Sequence, residues 1–206
     1  GFSPAIAREL AAAGIDGVEL APTAIWPNID QVSAAEVTAE AERWRDAGLP
    51  VVAIQSLLFG CPDVNLFDRA SWGSLRARLS GMAEVAHGLG AGVAVFGSPK
   101  NRIRGSLSLA DANEVAREFF ASLTPVFAES GVVLTLEPNA PVYGADYLTD
   151  YPDCVVLADM VGSGNVGVQI DTGCLYLVDS DPVAALNLRE PDHVHISAPQ
   201  LDPLPG

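Results

Sequence analysis

Three short segments of this chain end in groups that can hold a cation or move a proton. LEPN (136–139) carries Glu137, QIDTG (169–173) carries Asp171, and HVHIS (193–197) carries His195. Each belongs to a mainly apolar stretch with the alternation of a strand, along which successive side chains point to opposite faces. In VVLTLEPN, Val132, Leu134 and Leu136 share one face, while Val133, Thr135 and Glu137 share the other. The same rule turns Gly167, Gln169 and Asp171 inward in VGVQID, and His193 and His195 inward in HVHIS. Glu19 in GVELAP and Gln55 in VAIQSL follow it too. Two carboxylates and an imidazole crowded into a low-dielectric mouth are costly without a compensating charge. A divalent cation supplies it, and this ligand mix suits Mn²⁺, Mg²⁺, Co²⁺ or Zn²⁺ without choosing among them. Taken singly, such a carboxylate is more often a loop cap and such a histidine a satisfied core residue. Their recurrence at matching strand ends is what argues for a metal site.

The elements that must position these groups alternate along the whole chain. SPAIARELAAAG reads as a helix with Ser3 as its cap, Pro4 in its first turn and Gly14 as its stop. DGVELAP is a strand, SAAEVTAEAERWRDAGLP a helix from Ser33 to Gly48, and VVAIQSL a strand. SWGSLRARLSGMAEVAHGLG is helical, GVAVFGS a strand, and LADANEVAREFFASLTPVFAESG a helix kinked at Pro125. After VVLTLEPN comes a helix from about Tyr147 to Val161, then VGVQID ending before a Thr-Gly turn, a short helix near 182–190, and HVHIS. Such alternation implies parallel strands with right-handed crossovers. An open sheet would gather its ligand contacts at one switch point beside a Gly-rich phosphate loop. Neither GxGxxG nor GxxxxGK[ST] occurs. Polar residues at nearly every strand end fit the mouth of a (β/α)₈ TIM barrel instead. Six strands and six helices fall short of a barrel of roughly 250 residues. The expectation is therefore one barrel domain over 1–206, lacking its first strand and its last strand and helices.

Composition narrows the partners. The 206 residues are 49% hydrophobic and 18% charged, which excludes a disordered chain. Acidic residues outnumber basic ones 26 to 11, for a net charge of −15, and such a surface repels nucleic-acid backbones. No apolar run reaches the roughly 20 residues that span a bilayer, so no membrane role is expected. No signal peptide opens the sequence, and three cysteines without zinc-ribbon spacing suit a reduced, cytoplasmic protein. Homo-oligomerisation is left open.

The ordered set GIDGVEL, FGSP, LEPN, QIDTG and HVHIS resembles the sugar phosphate isomerase/epimerase group of xylose isomerase-like barrels. That superfamily includes ketose 3-epimerases, hydroxypyruvate isomerase, inosose dehydratase and endonuclease IV. The resemblance implies a metal held by Glu137, Asp171 and His195, with a fourth ligand, a glutamate on the eighth strand, that has no counterpart before LDPLPG. Many relatives have Asp-x-x-His where this chain has Asp171-Thr-Gly-Cys174. The missing histidine, the absence of one in VFGSPKNR and the acidic surface argue against a three-metal DNA-repair nuclease.

The reaction expected from the resemblance is isomerisation or epimerisation of a sugar or sugar phosphate. The metal would act as a Lewis acid on a carbonyl and adjacent hydroxyl, and proton transfer would pass through an enediolate. Glu137 would be both ligand and base. Around it, Glu19, Gln55, Asn139, Cys174 and Gln200 are candidate substrate contacts, each of which could equally serve a loop or turn. In GSPKNRIRG, Lys100 and Arg102, with Arg104 close by, could fix a phosphate or carboxylate, or could simply be a solvated loop. His193, one layer below His195, reads as a supporting or core histidine. The alternatives are dehydration of an inositol-type ketone and a non-catalytic, sugar-binding barrel.

Overall fold

In the computed structural model, which describes residues 3–203, strands and helices alternate throughout. Helix α1 (Pro4–Ala12) leads to β1 (Val18–Leu20), followed by a single turn of helix, α2 (Pro22–Ile25), and by α3 (Ala34–Asp46). Then come β2 (Val51–Ile54), α4 (Trp72–Leu89), β3 (Val93–Phe96), α5 (Leu109–Ala121) and α6 (Thr124–Ser130). The remainder is β4 (Val133–Leu136), α7 (Tyr151–Val161), β5 (Val166–Asp171), α8 (Thr172–Leu177), α9 (Pro182–Leu188) and β6 (His193–His195). Local chemistry sets several boundaries. Ser33 and Glu36 close a reciprocal capping box at the start of α3. Gly90, in the left-handed region at φ +81°, ends α4 where a side chain would be strained.

All neighbouring strands pair in parallel, in the order β1-β2-β3-β4-β5-β6. The closure follows from one hydrogen bond. Strands lie about 4.8 Å apart, so in a flat sheet β1 and β6 would stand about 24 Å from each other. Yet His193 on β6 meets Glu19 on β1 at 2.7 Å. The sheet is therefore curled into a barrel arc whose outermost described strands face each other across the interior. An open doubly wound sheet is excluded.

The hydrophobic core lies between the outer face of this arc and the helices. Leu134, Leu136 and Val168 are fully buried there, and burying each is worth about 1.5–3 kcal/mol. Phe96 packs edge-on against Phe120, which meets Phe119 likewise, with ring centroids 5.2 and 5.5 Å apart. No described helix is long and apolar enough to cross a membrane.

Besides the added turn α2, three elements differ from the sequence expectation. The kinked helix is two helices, because Pro125 sits in the first turn of α6. Helix α7 starts at Tyr151, where Asp150 caps it, while Tyr147 and Leu148 bury their side chains from the preceding loop. The Thr-Gly turn after β5 opens a further helix, α8, whose N-cap is Asp171 itself.

Candidate functional site

The inward side chains of the strand ends meet in a cavity of about 630 Å³. Its lining includes Glu19 from the end of β1, Glu137 just past β4, Asp171 at the end of β5, and His193 and His195 on β6. Glu137, Asp171 and His195 can each present a ligand atom within 4.8 Å of the other two. The sequence placed these three together, and the fold brings them together.

Glu137 is held on every side. Its Oε1 accepts from Gln169 Nε2 at 2.8 Å and lies 2.9 Å from His195 Nδ1. Gln169 Nε2 is also 2.8 Å from that Nδ1, and Thr135 donates to the Gln169 carbonyl oxygen at 3.3 Å. Gly97 lies beside it, and a Cβ there would force the Glu137 carboxylate to shift. Across the site, Asp171 Oδ1 accepts the Cys174 amide at 2.6 Å, and Ser197 Oγ bridges its two oxygens at 2.9 and 3.0 Å. This amide bond is the helix cap of α8, so one carboxylate both starts a helix and faces the cavity.

His195 stands between two acids. Its Nε2 lies 2.9 Å from Glu19 Oε1, opposite the Nδ1 contact with Glu137. Burial alone would lower its pKa, but hydrogen bonds to Glu137 and Glu19, and their charges, raise it to about 10. Burial would raise Glu19, but hydrogen bonds from His193 and His195 hold it down at about 2. An imidazole nitrogen and a carboxylate oxygen 2.9 Å apart are both lone-pair donors, so something positive must lie between them. In the metal-free chain a proton does this. The same donors fit a divalent cation, with the Nε2–H directed at Glu19 and Nδ1 left free to coordinate.

These shifts set a pH window for the metal-free protein. The His195 contribution is full below the unfolded value of 6.5 and is lost as pH rises toward 10. That of Glu19 is full above 4.5 and is lost as pH falls toward 2. Melting temperatures of chelator-treated protein should therefore carry a contribution from this pair that peaks between pH 4.5 and 6.5. His195→Gln should remove the alkaline part of that decline. A variant with an unchanged alkaline profile would contradict the assignment.

The remaining expected contacts divide. Gln55, Asn139 and Cys174 line the cavity. Burial, then the nearby Asp171 charge, pushes the Cys174 thiol up to about 12, and it donates to the Thr149 carbonyl, so it is no nucleophile at neutral pH. Gln200 is exposed and does not line the cavity. Lys100 borders a neighbouring hollow of about 500 Å³ that shares Pro99 with the main one. Arg102 lies elsewhere than a ligand-facing loop. Its side chain is 0% exposed and faces the interior behind Glu137, so it offers nothing to a ligand in the cavity. Arg104 is likewise engaged, by Asp146 and the Leu107 carbonyl.

Sequence reasoning gave Gln169 and Gly97 no role. Gln169 carries no charge to draw attention, and the closeness of Gly97 to Glu137 arises only once β3 and β4 are side by side. Glu19 was expected to meet substrate, but its carboxylate is engaged by both histidines.

A family model described as xylose isomerase-like TIM barrel matches residues 7–202. Among solved structures, a D-psicose 3-epimerase determined in the presence of D-fructose is similar at 18% identity and TM-score 0.76, covering 96% of this chain and 68% of that one. A 3-keto-D-glucoside 4-epimerase from E. coli matches at 20% identity and TM-score 0.65, covering 93% and 72%. The IolI protein with a bound zinc atom matches at 16% identity and TM-score 0.61, covering 90% and 63%. At these identities the likeness establishes the fold. No curated protein sequence matches the chain.

Proposed function

The chain belongs to the xylose isomerase-like TIM barrel family, and from that premise we propose that it is a metal-dependent isomerase or epimerase of a small keto sugar or sugar phosphate. The observation that carries this reading is the convergence of Glu137, Asp171 and His195 at the mouth of the arc. Sugar epimerases among the structural relatives support the substrate class, and the zinc-bound relative supports the cofactor.

A divalent cation held by Glu137, Asp171 and His195 would polarise a carbonyl and its neighbouring hydroxyl, acidifying the C–H beside them. Glu137 then takes that proton. Its carboxylate reaches the cavity with Oε1 fixed by Gln169, so it is oriented before substrate arrives. Glu19 holds His195 through Nε2, which would leave Nδ1 available to a cation. Gln55 and Asn139 supply neutral polar groups suited to sugar hydroxyls.

The test has two parts. Purified protein should contain about one divalent metal per chain, and Mn²⁺, Co²⁺ or Mg²⁺ should raise the melting temperature of stripped protein by mass action. In D₂O, a panel of keto sugars and their phosphates should include one that exchanges a carbon-bound proton only when protein and metal are both present. Absence of both metal and stabilisation would overturn the reading. Metal without exchange on any sugar would leave a binding protein rather than an enzyme.

A further inference from the structure

Arg102 follows β3 in sequence, yet its guanidinium ends in the interior and pairs with no carboxylate among the described residues. Nη2 donates to the Glu137 carbonyl at 2.8 Å, to Asn139 Oδ1 at 2.7 Å and, at 3.4 Å, to the Leu148 carbonyl. Nε and Nη1 are buried without a hydrogen-bond partner. A cation buried against neutral oxygens is a net cost to the fold unless it secures something else. Its two shortest hydrogen bonds fall on Glu137 itself and on Asn139, two residues further along the same strand-end loop.

The bond to Asn139 decides more than a loop position. An asparagine amide can present either its oxygen or its NH₂ to a neighbour. With Oδ1 taken by Arg102, Nδ2 is the atom that faces Glu137 Oε2, at 3.5 Å. Released from Arg102, the amide could turn its oxygen toward the carboxylate and repel it. Gly97 closes the same side of Oε2, and Gln169 holds Oε1. The Glu137 carboxylate is thus framed by three neighbours, two of them amides: Thr135 sets the orientation of Gln169, and Arg102 sets that of Asn139.

We infer that Arg102 is a positioning residue for Glu137. It anchors the Glu137 carbonyl and sets the Asn139 amide, and so fixes the carboxylate in one orientation for the cation and the reacting proton. The inference rests on the reading of Glu137 as metal ligand and base. Arg102 itself touches neither cation nor substrate.

The experiment uses Arg102→Met, Asn139→Ala and the double variant in the full chain, with Mn²⁺ alone as probe. Calorimetric titration of chelator-stripped, folded Arg102→Met should show the Mn²⁺ Kd raised by about 10–100-fold, the usual cost of losing a residue that orients a ligand. Asn139→Ala should show a smaller rise. Because both act through one carboxylate, the double variant should fall well short of the product of the two effects. A purely structural arginine would lower the melting temperature and leave the Kd of the folded variant at the wild-type value. That result, or strict additivity, overturns the inference. Should Arg102→Met fail to fold, Asn139→Ala decides alone, and an unchanged Kd overturns it.

A wild-type protein that takes no Mn²⁺ would sink the metal reading and leave Arg102 to be judged separately. The Asn139 side-chain amide signals, assigned by their loss in Asn139→Ala, should then exchange slowly with solvent in wild type and rapidly in Arg102→Met or Arg102→Lys. Equal exchange rates overturn the inference.

Discussion

Replacing Glu137 by glutamine is expected to cut turnover at least about 10²-fold, the usual scale for a general base, while much of the bound metal remains. The geometry explains why the two effects separate. Gln169 Nε2 donates to Glu137 Oε1, so the new amide must place its oxygen there and its NH₂ in the Oε2 position. The oxygen facing His195 Nδ1 survives, and with it one ligand atom. The negative charge and the basicity do not. Solvent deuterium exchange into the substrate should fall in parallel with turnover, since both measure one proton transfer. Near-normal exchange and turnover in Glu137→Gln would remove this residue from the chemistry.

Asp171→Asn should fail in the opposite order. Asparagine is as good an N-cap as aspartate, so its Oδ1 can keep the Cys174 amide and α8 should survive intact. The other oxygen becomes an NH₂ group and can no longer coordinate. Metal affinity should therefore fall by more than the roughly 10–100-fold that loss of a mere orienting partner costs. Turnover should recover in part as metal is added in excess. Titration of Mn²⁺ into stripped wild type and variant measures the first effect, and rates across a metal series measure the second. An Asp171→Asn protein that binds Mn²⁺ as wild type does would strike Asp171 from the ligand set.

The parts of the site legible in the sequence were those encoded locally. A two-residue alternation assigns Glu137, Asp171 and His195 to inner faces without knowledge of any neighbour, because the period belongs to the strand itself. The barrel reading drew on the same signal repeated at successive strand ends. What escaped was set by distant partners. Arg102 looked like a free cation because nothing near it in the chain announces the Glu137 carbonyl 35 residues on. Glu19 looked available to substrate because its partners are histidines on the far strand. Helix α8 was hidden by the double service of Asp171, whose inward carboxylate suggested a strand end while its cap bond began a helix. Tyr147 and Leu148 were drawn into α7 because their apolar character shows burial but not the loop that delivers it.

The hydrogen bond between Glu19 and His193 joins residues 174 positions apart. Contacts of such separation are slow to form, since the chain between them must be ordered before they can repay its loop-closure entropy. During synthesis Glu19 is made long before the histidines that hold it, and it stays without them until β6 docks. His195 reaches Glu137 only once β6 is docked. On the proposed metal reading, cation affinity would report the docking of β6: a species that has built β1 to β5 around a sound hydrophobic core would still lack the imidazole of His195. Any defect that leaves β6 undocked, wherever in the chain it lies, erases the site while most of the secondary structure persists.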